Sequence, residues 1–192
     1  MRKKDKGFNT KLILPIFVVF ILVTSMFGFM WSGSNTKIEY RGFKFTRLDT
    51  GVFRISIENR VIEFRYFPSE LEWINSSGGI KESFDTPMVY FTSNPGSDYK
   101  EQMAEMHKHI SEVLWETREV YVQNAFTSES EYNLPVITCE NATLSVPVIM
   151  IGKSNSTEIL LEQNCIVVNT ENRQELFMAY ERLLYIVFGV MD

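Results

Sequence analysis

The stretch FRISIENRVIEFRY, residues 53–66, is the one whose reading decides the fold. Phe53, Ile55 and Ile57 alternate with Arg54, Ser56 and Glu58, and beyond Asn59-Arg60 the residues Ile62, Phe64 and Tyr66 alternate with Glu63 and Arg65. Successive side chains of a strand face opposite ways, so period two on both sides of a short polar turn predicts a β-hairpin with one buried face. Working outward, GFKFTR (residues 42–47) supplies a third strand, which turns through Leu48-Asp49-Thr50-Gly51. Pro68 ends this meander because proline cannot donate to a ladder. Residues 69–74 are expected as a short helix before a Gly78-Gly79 loop.

Toward the C-terminus helices and strands mix. MVYFT (residues 88–92) reads as a short buried strand, and NPGSD (residues 94–98) as a helix start with Asp98 and Glu101 forming a capping box. The helix that follows is expected to run to about Val122. Its apolar stripe is Tyr99, Met103, Met106, Ile110, Val113, Leu114 and Tyr121, at spacings of three and four. Strands are expected at 135–138, 145–151, 158–162 and 166–168, with Lys153-Ser154-Asn155-Ser156 as a hairpin tip. A last helix, about 171–188, follows an Asn169-Thr170 cap, grows apolar toward its end, and should dock on the sheet. The fold class is therefore α+β, an antiparallel β-meander and a mixed sheet packed by two main helices, loosely α/β across 88–138.

A different signal precedes all of this. From Leu12 to Trp31, residues 12–31 (LILPIFVVFILVTSMFGFMW) carry no charge. A helix rising about 1.5 Å per residue covers a hydrocarbon core roughly 30 Å thick with such a stretch. Thr24 and Ser25 can bond back to the helix's own carbonyls, Pro15 falls in the first turn of the run, and Trp31 closes it at interfacial depth. Arg2, Lys3, Lys4, Lys6 and Lys11 stand before the run against Asp5 alone, which keeps the N-terminus cytoplasmic. The expected organisation is a basic tail (1–11), a single transmembrane helix (12–31), a linker (32–36) and one extracytoplasmic domain (37–192), at the cell membrane. A cleaved signal peptide, cut near Ser32 and Ser34, fits less well, since the apolar run is long and Phe27, Phe29, Met30 and Trp31 are bulky. A prepilin reading of Lys6-Gly7-Phe8 also fits less well, because Ser-Gly-Ser-Asn ends the helix at once.

The chain carries net charge −5. Without the five basic residues and one acid of residues 1–11, 14 Lys+Arg face 23 Asp+Glu, so the domain stands at −9. That balance speaks against nucleic acid or anionic lipid as its principal partner. The two cysteines, Cys139 and Cys165, fall in a compartment that permits disulfides, and a bridge between them would add about 3–4 kcal/mol by the loop-entropy argument. Asn75, Asn141 and Asn155 each open an Asn-x-Ser/Thr sequon, so each is an expected N-glycosylation acceptor.

Candidates for chemistry are weak against plainer readings. His107 and His109, two apart on a helix, point to opposite sides and suit a solvated surface; Glu105 and His109 share a face but find no third ligand, so no metal and no cofactor is expected. Asp49-Thr50-Gly51 matches the aspartic-protease tripeptide, where paired carboxylates activate water, but a tight turn asks for the same residues. Gly78-Gly79 lacks the Lys-Ser/Thr of a phosphate loop, and no G-x-S-x-G elbow occurs.

Certain stretches of the C-terminal third carry a family likeness. They are PVITC (135–139), VPVI (146–149), NSTEI (155–159), NCIVV (164–168) and the closing ERLLY (181–185) with Gly189-Val190. This third resembles a group of archaeal single-pass membrane-anchored proteins of no assigned activity, which implies an architecture and no reaction. The expected function is thus a non-catalytic binding or assembly role at the cell envelope, with the membrane and a protein partner as its contacts. Alternatives are an envelope hydrolase, for which Asp49 and His107 would be mutated first, and an accessory subunit packing through Ser25 and Gly28. No particular oligomeric state is implied.

Overall fold

The computed structural model describes residues 10–31 and 36–192, with side chains described from 15–25 and from 36–192. Two compact units result, residues 1–36 and 37–192. In the first, α1 (Thr10–Trp31) is a 22-residue helix. Thr24 Oγ1 donates back to the carbonyls of Phe20 (2.8 Å) and Ile21 (3.1 Å), as expected of a hydroxyl on an apolar helix. Pro15 sits inside the helix, past its first turn, because the helix begins at Thr10 before the apolar run. Among the described residues no helix is long and apolar enough to cross a membrane; the side chains described in α1 stop at 15 and 25. The basic tail up to residue 9, the Lys6-Gly7-Phe8 site, and Ser32 and Ser34 lie outside the described residues. So do the side chains of Lys11, Gly28 and Trp31.

The second unit begins with a four-stranded antiparallel sheet in order β1 (Thr36–Tyr40), β2 (Phe43–Arg47), β3 (Phe53–Ile57), β4 (Arg60–Phe64). Phe53 opposes Phe64 and Ile55 opposes Ile62, so one face is apolar throughout. The hairpin closes one residue earlier than the alternation suggests, at Glu58 (φ 47°) and Asn59 (φ 67°). Two positive φ values make the two-residue turn whose twist matches the strands. Arg41 (φ 46°) and Gly42 (φ 86°) close β1 onto β2 in the same way. The strand β1 is an addition to the expected meander, which begins at residue 42. The short helix after Pro68 is a 3-10 turn, Pro68–Leu71.

A six-stranded mixed sheet follows, in order β5 (Asn75–Ser76), β9 (Glu158–Glu162), β10 (Cys165–Thr170), β8 (Val148–Lys153), β6 (Met88–Ser93), β7 (Tyr121–Phe126). The strands β6, β7, β8 and β10 are mutually parallel, and β9 runs against β10. Four expectations are corrected here. The helix α2 (Lys100–Arg118) stops four residues short of Val122: Glu119 turns left-handed (φ 57°), its N–H caps the Leu114 and Trp115 carbonyls, and Tyr121 starts β7 with its ring exposed. Asp98 does not cap α2, since Tyr99 is the N-cap and no side chain caps it. Residues 153–156 are no hairpin tip, because β10 lies between β8 and β9; the hairpin is β9–β10, turning at Gln163 (φ 56°). Residues 135–138 form one bridge, Val136 to Phe126, in place of a strand.

The last helix, α3 (Arg173–Val187), begins at Asn172, whose side chain accepts the N–H groups of Gln174 and Glu175; Asn169 and Thr170 still belong to β10. Residues 179–188 are buried on every side. The reason is position: α3 is the layer between the two sheets. Tyr185 stacks on Phe64 of the small sheet (4.1 Å), and Leu183 and Leu184 share a core with Ile166 and Val168 of the large one. A helix apolar all round has no solvent face to offer. Both α2 and α3 cover the same face of the large sheet. Its other face carries a second apolar cluster of Val148, Cys165 and Val167 under Ile137, Cys139 and Ala142.

Candidate functional sites

The Cys139–Cys165 disulfide is formed, with Cα atoms 5.2 Å apart and the two residues 26 positions apart in sequence. It ties the irregular segment 127–147 to β10. Asn75, Asn141 and Asn155 are all exposed. Asn75 lies on the edge strand β5, where a loop was expected, and Asn141 Oδ1 accepts the Thr138 N–H (2.8 Å), leaving its amide nitrogen unengaged.

The histidines sit deeper than a solvated helix face would leave them. His107 packs on Phe91 (5.7 Å between rings), and burial lowers its pKa against a bond to the Val122 backbone. His109 faces the other way, as the helix geometry requires, and its Nδ1 lies 2.7 Å from the Tyr180 hydroxyl. Burial lowers its pKa as well. Glu105, its neighbour one turn back, engages Arg65 (2.8 Å), whose guanidinium lies over the Phe177 ring (4.4 Å). Among the described residues no group of three His, Cys, Asp or Glu side chains could hold a metal ion. Asp49 is exposed in a turn that Gly51 (φ 84°) closes by donating to Leu48 (2.9 Å), and no contact joins Asp49 to His107.

Glu181 and Arg182 were not singled out by the sequence reading. Two charged residues inside the apolar run of α3 were the signal. The Glu181 carboxylate accepts the backbone N–H of Arg65 (3.0 Å) and of Tyr66 (2.9 Å), where β4 leaves its sheet. Burial pushes its pKa up to about 7, while those two N–H groups pull the other way. Arg182 donates to Leu71 O (3.3 Å), Ser76 Oγ (2.9 Å) and the Asp192 backbone oxygen (3.1 Å), and burial lowers its pKa. Tyr185 donates to Tyr66 O (2.9 Å). These groups pin residues 65–76 against α3. A cleft of about 340 Å³ opens beside them, lined by Glu63, Arg65, Glu105, His109, Tyr180 and Glu181 among others. Its polar groups are already engaged, Glu63 by Arg54 across the hairpin and the others by one another or by backbone. With Glu181 committed to two amides and Arg65 to Glu105, the cleft has no free nucleophile with a base beside it.

A larger cleft, about 510 Å³, lies where β6 and β7 end and α2 begins. Its floor is Phe91, Ser93, Asn124 and Phe126; Lys100, Glu101, Met103 and Ala104 of α2 form one wall, and Pro95, Tyr132 and Leu134 the rim. In open α/β sheets the carboxyl ends of parallel strands are where loops leave room for ligands. Strand alternation turns Ser93 to the helix-covered face, alongside Phe91, Asn124 and Ile151. Ser93 as a residue is 5% exposed, and its hydroxyl, which opens onto the cleft, has no hydrogen-bond partner among the described residues; the Asn124 side chain has none either. A hydroxyl that opens onto a cleft without a protein partner is available to a ligand. The preceding strand residue behaves otherwise: Thr92 turns to the opposite face and donates to Ile137 O (2.8 Å).

No known protein family, curated protein or solved structure matches this chain.

Proposed function

We propose that this chain is a membrane-anchored extracytoplasmic binding domain of the cell envelope, whose ligand seat is the cleft at the carboxyl ends of β6 and β7. The observation that carries the binding role is the hydroxyl of Ser93, which has no protein partner and opens onto a cleft of about 510 Å³. The uncharged run 12–31 supports the anchor, and so does the exposure of Ile16, Phe17 and Phe20 on α1, which need an apolar medium or partner around them. The five basic residues before the run support the orientation, and the Cys139–Cys165 bridge is in keeping with an oxidising compartment. Glycans on Asn75, Asn141 and Asn155, and the resemblance to archaeal membrane-anchored proteins, belong to the same reading. The acidic domain gives nucleic acid no part in it.

The enzyme reading has one observation in its favour, the second cleft with His109, Tyr180 and Glu181. It lacks a nucleophile, so binding is preferred over hydrolysis; an accessory-subunit role, with Ser25 and Gly28 packing on other helices, is compatible with binding.

The test is topological. The full chain with a C-terminal tag is expected in alkali-washed membranes, with the tag digested by protease added outside intact cells. Recovery of the uncleaved chain in the soluble fraction, or a tag protected until the cells are lysed, would contradict the anchor or its orientation.

A further inference from the structure

Around the larger cleft, donors without a partner outnumber acceptors, although the buried Oε1 of Gln102 in the first turn of α2 is itself an unpaired acceptor. Tyr99 supplies no cap, and the N–H groups of Glu101 and Gln102 in the first turn of α2 have no backbone acceptor. Both are donors only. Lys100 beside them brings further donors and no salt-bridge partner among the described residues. The Ser93 hydroxyl and the Asn124 amide, both unpartnered, can each donate. Glu101 is the single acceptor-only side chain in the lining. The positive end of the α2 dipole lies at the same place. The apolar part of the lining is Phe91, Phe126, Met103 and Leu134.

We infer that the cleft takes a small amphiphilic carboxylate, its apolar body seated between Phe91, Met103 and Phe126 and its anionic oxygens on Ser93, Lys100 and the first turn of α2. The inference rests on the cleft reading proposed above and names the ligand class for it. A carboxylate meets Lys100 and the donors of the first turn of α2, whereas a cation would find Glu101 as the one anionic side chain of the lining. An uncharged apolar molecule would leave the Ser93 hydroxyl as unpaired as it is now.

The experiment uses the full chain in detergent and reads amide hydrogen exchange over residues 94–104 with two probes, 2-naphthoate and its uncharged amide, 2-naphthamide. Naphthoate is expected to slow exchange there at concentrations at least ten-fold below those naphthamide requires. Ser93→Ala is expected to weaken naphthoate at least five-fold without lowering the melting temperature. Ala104→Trp, on an exposed helix position, should fill the cleft and abolish protection by both probes. Equal protection by the two probes, lost in Ala104→Trp, would overturn the carboxylate assignment and leave the cleft as the ligand seat. Protection by neither probe, or protection that survives Ala104→Trp, would overturn the cleft reading itself. Should Ala104→Trp fail to fold, an unchanged naphthoate affinity in Ser93→Ala decides against the proposal.

Discussion

On one face of the six-stranded sheet, α2 and α3 lay down a continuous apolar layer that joins Phe91, Ile149 and Ile166 to Met106, Leu183 and Leu184. On the other, the covering is residues 127–147, a segment with no α-helix and no ladder strand, over a cluster of three fully buried residues. The first face is held by burial, which needs no covalent help; the second is held by the Cys139–Cys165 bridge and by bonds such as Thr92 to Ile137 O. A thin layer buries too little apolar area to offset the entropy of ordering an irregular segment, so the crosslink supplies what packing does not. The well-packed face is also the one that carries an unpaired hydroxyl. In that layer Arg182 Nε and Gln102 Oε1 are buried without a partner, and Ser93 differs from them in opening onto a cleft.

The largest break in this contrast is expected from α3. Leu184→Ala removes a fully buried side chain between two sheets and should cost about 2–5 kcal/mol in denaturant unfolding. Exchange should rise across both sheets at once, because the two share that core. Replacing Cys139 and Cys165 together by alanine should cost about 3–4 kcal/mol, yet its first effect on exchange should be confined to residues 127–147. Uniform loss of protection in that variant would mean the two faces are not separately held.

Titration sharpens the helix-covered face. Glu181 has an ordinary value of 4.5 and a folded value of about 7, so the folded state binds its proton more tightly than the unfolded chain does. Its contribution is therefore full below about 4.5 and is lost as pH rises through about 7, a difference of about 3 kcal/mol at most. Glu181→Gln should flatten this alkaline-side fall in urea unfolding at pH 5 to 8. His107 and His109 act in the opposite sense: burial lowers them from 6.5, so their contribution is full above 6.5 and lost as pH falls, and that acid-side loss should persist in the variant.

How much of this was legible in advance follows from where the information lies. The β3–β4 hairpin could be read because its two strands are solvated on one face, so alternation is written into residues 53–64 themselves. The end of α2 could not, since Tyr121 continues the helical spacing and the stop depends on Glu119 turning left-handed. The order of β8, β10 and β9 is a non-local choice; adjacent strands look like a hairpin until a third pairs between them. At the candidate sites, Glu181 and Arg182 were visible as charges in an apolar helix. Ser93 was not, because a serine ending a buried strand resembles any strand end, and its lack of a partner is a property of three dimensions.

The smallest stability effects bear on the central claim. Thr92→Val deletes a bonded hydroxyl on the disulfide face and should cost about 1 kcal/mol. Ser93→Ala deletes an unbonded hydroxyl on the other face and should change stability by less than about 0.5 kcal/mol, in either direction. The most direct measurement takes both quantities from one protein: the unfolding free energy of Ser93→Ala and its affinity for 2-naphthoate. Unchanged stability with affinity at least five-fold weaker is the expected result. A destabilised variant that binds naphthoate as well as the parent would make Ser93 a structural residue and contradict the account.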